Sequence, residues 1–326
     1  MMNHCKNTIP PEDEIKRIRV DLENGIKDVF SSNNFKEYLK TMSKFHNYSV
    51  YNTMLIHLQN KDSTYVAGYN KWIELGRYVK KGSKAIKILA PVPHTQYVEQ
   101  PKIDPLSNKP IKLNGKIVKE KVLKSWLSYK IVHVFDVSQT EGKALPSIAK
   151  ELEGRIDNFK LLKNSIINIS PVPIEFNKIE GTSKGYYDPN NKLIKIKESM
   201  SEKQTIKTLI HELAHSKLHD NIINRNAAEI EAESIAYVVS NHFNIDTSSY
   251  SFQYIASWSK DKDLKELKSS LNTIIKTSNE IISSIEKDLQ KSLKPKTLKE
   301  ILNEAKEKSN INIKSTNKNN EIERSI

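Results

Sequence analysis

Apolar residues recur at helical spacing in "EIKRIRVDLENGIKDVF" and, after a polar break at "SSNN", in "FKEYLKTMSKFHNYSVYNTMLIHLQN", so the chain is expected to open with helices over 14–60. A short helix around Trp72 then gives way, through Gly76 and a turn at Gly82, to the strand-like "AIKILAPV". Residues 99–121 mix proline, glycine, asparagine and lysine and read as a long mobile loop or a hairpin. Strand character returns in "SWLSYKIVHVFDVSQT", and "EGKALP" closes the unit near 145. The second half predicts a helix over 147–165, a strand in "SPVPIEFNKI", and a hairpin in "GYYDPNNKLIKIKE" with turn formers between two apolar arms. Ser201, with Gln204 three residues on, marks the start of a long helix. Further helices follow at 226–242 and 263–290. From 291 the chain is Lys, Asn, Ser and Glu with few aliphatics, and is expected to be a disordered tail.

This pattern gives an α+β fold of two domains. Residues 11–145 form a mixed α/β unit, and 146–290 form a mostly helical unit with a small sheet, followed by the tail at 291–326. Length supports the division, since 326 residues exceed one ordinary core. No window approaches the apolar length of a membrane span and the start lacks a secretory segment, so a cytoplasmic protein with no membrane partner is expected. The single cysteine, Cys5, excludes an internal disulfide or a thiolate cluster, leaving nitrogen and oxygen as metal donors. The net charge of +13 is uneven: residues 1–145 carry 24 bases and 14 acids, and 77–130 alone carry 13 bases against three acids. The first unit therefore suits a polyanion.

The stretch "TLIHELAHSKLHD" places His211 and His215 four residues apart, one turn above each other on a helix, where both can hold one ion. Glu212 can reach a water on that ion and act as general base. A third ligand is sought in the next helix, "AAEIEAESIAYVV". Glu229 and Glu233 are an i, i+4 pair there, whereas Glu231 points elsewhere. Glu229 is assigned as the ligand, Glu233 as acceptor for a ligand histidine's other nitrogen, and Glu231 as the reserve ligand. His219 extends the histidine face by one turn and is read as a supporting or capping residue. The arm "NKLIKIK" is either the strand beside the cleft or a structural strand. Zinc is the expected ion, with manganese or cobalt the alternatives. Metal-assisted hydrolysis follows, with Tyr186, Tyr187 and His242 unresolved as partners of the oxyanion.

The stretches "FKEYLKTMSKFHNYSVYNTMLIHLQN" and "VAGYNKWIELGRYVKKGSKAIKILAP", with "HVFDVSQTEGKALP", resemble the N-terminal single-stranded-DNA-binding domain of ArdC-type antirestriction proteins. The order Asn52, Trp72, Gly76, Val79, Gly82 is the more specific part. "TLIHELAHSKLH" with "EIEAESIAYVV" resembles the zincin-like ImmA/IrrE metallopeptidase domain found with it. The resemblance implies a DNA-binding module fused to an HExxH, gluzincin-like peptidase in a protein of mobile elements, and it favours Glu229 from its distance to Ala232.

On that basis single-stranded DNA, with double-stranded DNA the alternative, is the expected partner of the first unit, and an unidentified protein is the substrate of the second. Lys71, Arg77, Lys80, Lys81, Lys84 and Lys87 are expected at phosphates and Tyr69 at bases. Trp72 is either a stacking ring or, the favoured reading, core. Two other readings stand beside the peptidase: a strand-coating protein with a structural metal, and a regulator that cleaves a repressor.

Overall fold

The computed structural model describes residues 12–31, 34–145, 158–219, 224–245, 252 and 255–293. The tail beyond 293 and the first part of the helix expected from 147 lie outside them. Three helices open the chain: α1 (Glu12–Ser31), α2 (Asn34–Lys44) and α3 (Val50–Gln59), the last begun by Ser49, whose side chain accepts from the Asn52 amide. Then come β1 (Val66–Gly68), α4 (Tyr69–Glu74), β2 (Arg77–Val79), β3 (Ile86–Pro101), β4 (Lys112–Leu113), β5 (Lys116–Ile117), β6 (Lys119–Asp136) and β7 (Thr140–Gly142). The sheet order is β1-β6-β3, all antiparallel, with β2 and β7 paired separately.

The segment read as a loop or hairpin is a hairpin. β3 and β6 stay in register from Ile86 opposite Val134 out to Pro101 opposite Lys119, and β4 and β5 form a smaller hairpin near the tip. At about 3.3 Å per residue the ribbon is roughly 50 Å long. Its root is buried through Ile86, Ile88 and Val134, while its outer half is exposed. Pro91, Pro93 and Pro101 fall at alternate positions of β3, so their missing N–H groups all face the open edge and the ladder survives them.

The second half contains α5 (Asn158–Asn168), β8 (Ile174–Asn177), β9 (Gly185–Asp188), β10 (Leu193–Lys197), α6 (Glu202–Leu218), α7 (Arg225–His242), α8 (Ile255–Ser259) and α9 (Leu264–Leu293). The expected hairpin is β9–β10, with β8 added parallel to β10. Ser201 caps α6 by accepting from the Gln204 amide. The fold is α+β, as the pattern predicts.

Apolar packing crosses the 145 position. One core joins Ile26, Phe30, Leu39 and Met54 of α1–α3 to Ile210, Leu213, Ile235, Ile274 and Ile282 of the later helices. A second, small core of Phe45, Ile56, Val66, Ile86, Ile88 and Val134 lies under the ribbon's root. Polar contacts reinforce the junction. Asn241 donates to the Ser43 hydroxyl at 2.6 Å, and the His242 ring lies 3.0 Å from both the Ser43 carbonyl and the Glu286 carboxylate. The same α7 that ends at this junction carries three glutamates of the candidate site near its start.

Candidate metal centre and nucleic-acid interface

Helix α6 is held by an apolar face in which Ile206, Leu209, Ile210 and Leu213 are fully buried. That seating turns His211 and His215 toward α7. Their Nε2 atoms lie 3.1 Å apart, and Glu229 Oε2 is 3.5 Å from the first and 3.7 Å from the second. A tetrahedral site with bonds of about 2.1 Å has ligand-to-ligand edges of roughly 3.4 Å. The three atoms thus form the base of such a site, leave its fourth corner free, and fit a divalent ion.

The charges fit as well. Burial opposes a proton on His211, but contacts with Glu229 and Glu233 outweigh it and lift that imidazole to about 10. The same two histidines hold the Glu229 carboxyl far below the usual carboxylate range. His215 is pushed down, chiefly by burial. The three groups thus gather around one proton, whose place a metal cation can take.

Glu212 lies on the other side of His211, 6% exposed; burial lifts its carboxyl to about 7, against the pull of the His211 charge and the Tyr187 amide. With His211, Glu233, Thr208 and Gly185 it lines a cleft of about 300 Å³. Glu233 Oε2 is 3.3 Å from the buried His211 Nδ1, an ionic contact outside good hydrogen-bond geometry. His219 ends α6 and lies against His215, with Glu231 behind it. Glu231 thus faces away from the three-atom cluster, as its angular position on the helix predicts.

Two points that the pattern left open about the cleft are narrowed. The arm "NKLIKIK" becomes β10, the middle strand of its sheet, with β8 and β9 occupying both edges, so no peptide can pair with it. The strand at the cleft is β9, which presents Gly185 there. His242, one of the three oxyanion candidates, is tied to Glu286 and Ser43 at the far end of α7. Tyr187 shares a sheet face with the buried Ile194, and Tyr186 takes the opposite, exposed face.

The basic strip of the first unit is largely committed internally. Trp72 is fully buried and donates its Nε1–H to the Phe135 carbonyl, so it cannot stack with a base. Arg77 donates to Thr140 Oγ1 and to the carbonyls of Thr140, Gly142 and Lys143. Lys80 reaches the Ser138 carbonyl, Lys71 pairs with Glu74, and Lys87 pairs with Glu14. Lys81, Lys84 and Tyr69 are exposed.

Free cations and rings lie on the ribbon instead. Between 92 and 130 there are eight lysines and three acids, and all eight lysines are exposed. Only Lys119 among them has an ion pair within the described residues, with Glu99. Tyr97, Trp126 and Tyr129 stand 69%, 48% and 52% exposed, and Trp126 stacks on His94. The charge surplus of 77–130 was the available signal; what pattern alone could not show was which lysines have partners.

Residues 13–135 match the N-terminal domain of anti-restriction factor ArdC, and 170–272 match the IrrE N-terminal-like domain of the M78 peptidases. The chain thus joins a segment similar to the ArdC N-terminal domain to one similar to the IrrE-like peptidase domain. It is 29% identical over 317 residues to pXO2-81, an uncharacterized protein of Bacillus anthracis, covering 85% of this chain and 52% of the relative. The chain thus spans about half the length of the curated relative it matches. Among solved structures it is similar to the antirestriction ArdC protein from R388 plasmid. The metal-free form gives 17% identity and a TM-score of 0.41 over 75% of this chain and 86% of that one. The Mn(II)-bound form gives 17% and 0.42 over 74% and 85%. Among the described residues no helix is long and apolar enough to cross a membrane.

Proposed function

We propose that this chain is a DNA-binding antirestriction protein carrying a divalent-metal-dependent endopeptidase. The observation that carries the peptidase reading is the triangle of His211, His215 and Glu229, with Glu212 beside it in a cleft. A bound zinc or manganese ion would lower the pKa of a water at the open corner and polarise a peptide carbonyl. Glu212, buried and next to His211, would take a proton from an attacking water and return it to the leaving amine. Glu233, in ionic contact with His211 Nδ1, would steady that ring and leave its Nε2 for the ion. The edge of β9 lies along the cleft and offers main-chain pairing to an extended substrate segment. An unidentified protein is the substrate.

Glu212→Gln tests this. The variant is expected to bind zinc as the parent does and to lose hydrolysis of an unfolded fluorogenic casein by about 10²–10⁴-fold. Equal turnover by parent and variant, or none by the zinc-loaded parent, would remove the enzymatic reading. Restriction-protection assays with the same variant separate roles: full protection by Glu212→Gln would favour strand coating with a structural metal. The ribbon's unpartnered lysines and exposed rings support single-stranded DNA as the partner of the first unit.

A further inference from the structure

Beyond the three ligands, α6 and α7 carry a second, buried line of groups. His215 Nδ1 lies 2.9 Å from His219 Nδ1, and His219 Nε2 lies 3.5 Å from Glu231 Oε2. His215 is 7% exposed, His219 9%, and the Glu231 side chain 17%. The line runs from Glu231 through two imidazoles to the Nε2 atom that faces His211 and Glu229. We infer that His219 and Glu231 are positioning residues that set the tautomer of His215 and so make its Nε2 a metal donor.

Proton counting carries the inference. A neutral imidazole bears one N–H, and two Nδ1 atoms at hydrogen-bond distance share a single proton between them. Glu231 as carboxylate only accepts, so His219 places its proton on Nε2, toward Glu231. Its Nδ1 is then a bare lone pair, and the proton between the rings belongs to His215 Nδ1. His215 Nε2 is left unprotonated, pointing into the triangle. The opposite assignment would put a proton on His215 Nε2, where the ion sits, and would leave a carboxylate facing a lone pair across 3.5 Å. In so shielded a place that repulsion is poorly screened. His211 has an acid, Glu233, directly in ionic contact with its Nδ1; His215 has one only at second remove, because the spacing of α6 puts another imidazole between the ligand and the acid.

The inference rests on the metal-site reading, and its test separates the two. Zinc is used as a diamagnetic probe on the full chain. In the zinc-loaded parent, long-range ¹H–¹⁵N spectra are expected to show His215 protonated at Nδ1 and His219 at Nε2. By chelator competition, His219→Phe and Glu231→Ala should each weaken zinc binding about 10–100-fold. His219→Asn, whose amide oxygen can still accept from His215 Nδ1–H, should recover part of that loss. Glu231→Gln, whose amide oxygen can still accept from His219 Nε2–H, should likewise bind more tightly than Glu231→Ala, and far-ultraviolet dichroism of the zinc-free proteins checks that each variant folds. A parent that binds no zinc would sink the metal-site reading. A parent that binds while folded His219→Phe and Glu231→Ala bind equally well, or a His215 protonated at Nε2 in the zinc-free protein, would sink the relay alone.

Discussion

Glu212 and Asp136 are both buried carboxyls, yet their surroundings push them in opposite directions. Burial dominates at Glu212 and raises it to about 7, because only one backbone amide reaches it. At Asp136 burial also opposes the charge, but Ser138 donates through its hydroxyl and amide, and the Thr64 and Tyr65 amides donate as well, holding the carboxyl below its ordinary value. The difference decides their roles: one is poised to take a proton, the other to stay charged and tie β6 to the segment before β1. A carboxyl depressed in the folded state adds stability that is fully present above the ordinary value of 3.8 and fades as pH falls through the folded one. Asp136→Asn should therefore lower stability by about 2 kcal/mol at pH 6, with a smaller gap from the parent at pH 3, read by urea denaturation at both pH values. A gap unchanged with pH would mean that the charge is not what holds this knot.

The adjacency of His211 and His215 was legible because a spacing of four on one helix dictates a shared face. Asp136 was visible only as part of "HVFDVSQTEGKALP", since its partners lie more than seventy residues away in sequence at Thr64 and Tyr65.

At the scale of elements, the residues that mark the ArdC resemblance prove to be architectural. Asn52 of α3 donates to the Leu89 carbonyl and accepts from the Leu89 amide, and Gln59 does the same with Lys87, so α3 completes the edge of β3 as a missing strand would. Gly76 and Gly82 take φ of 70° and 84°, backbone that other residues adopt only under strain. A specific motif thus identified the fold without locating the chemistry. The cleft shows a comparable dependence on close approach. A Cβ on Gly185 would meet Thr208 Cγ2 at 2.7 Å and the Lys195 carbonyl at 2.9 Å, so β9 can lie against α6 only as glycine. Gly185→Ala is expected to cost about 1–3 kcal/mol and to move β9 off the helix that carries His211. Adding Thr208→Ser, which deletes the offending methyl, should return part of the loss in a thermal melt; no recovery would place the strain at the Lys195 carbonyl instead. Periodicity found β9 and β10 but left open whether the second arm lies beside the cleft or is structural; β8 joins the sheet from outside the hairpin and makes β10 its centre, the structural alternative.

For the whole molecule, the question is where a polyanion meets a chain whose surplus charge is concentrated in its first half. Sequence pattern pointed to 71–87, where lysines and rings alternate; folding commits most of those groups to the β2–β7 pair, to α1 and to the core. Among the described residues the ribbon keeps all its lysines between 92 and 130 but Lys119 free of ion pairs, its outer half is exposed, and cations and rings lie on both faces. A strand laid along it would meet phosphate-binding and base-stacking groups together. Changing Lys112, Lys116, Lys121 and Lys124 to alanine should flatten the salt dependence of single-stranded DNA binding, the slope of log K against log salt falling by about 0.7 for each phosphate that a lysine no longer neutralises. Trp126→Ala should weaken binding by about 1–3 kcal/mol while leaving that slope unchanged, since stacking releases no counterions. Alanine at Lys71, Lys80 and Lys87 should change the slope little. All three sets are read by fluorescence anisotropy at two or more salt concentrations, on variants with parental dichroism. If the ribbon set left the slope unaltered and the 71–87 set reduced it, the 71–87 strip would be the DNA surface and the ribbon's exposed charge would need another partner.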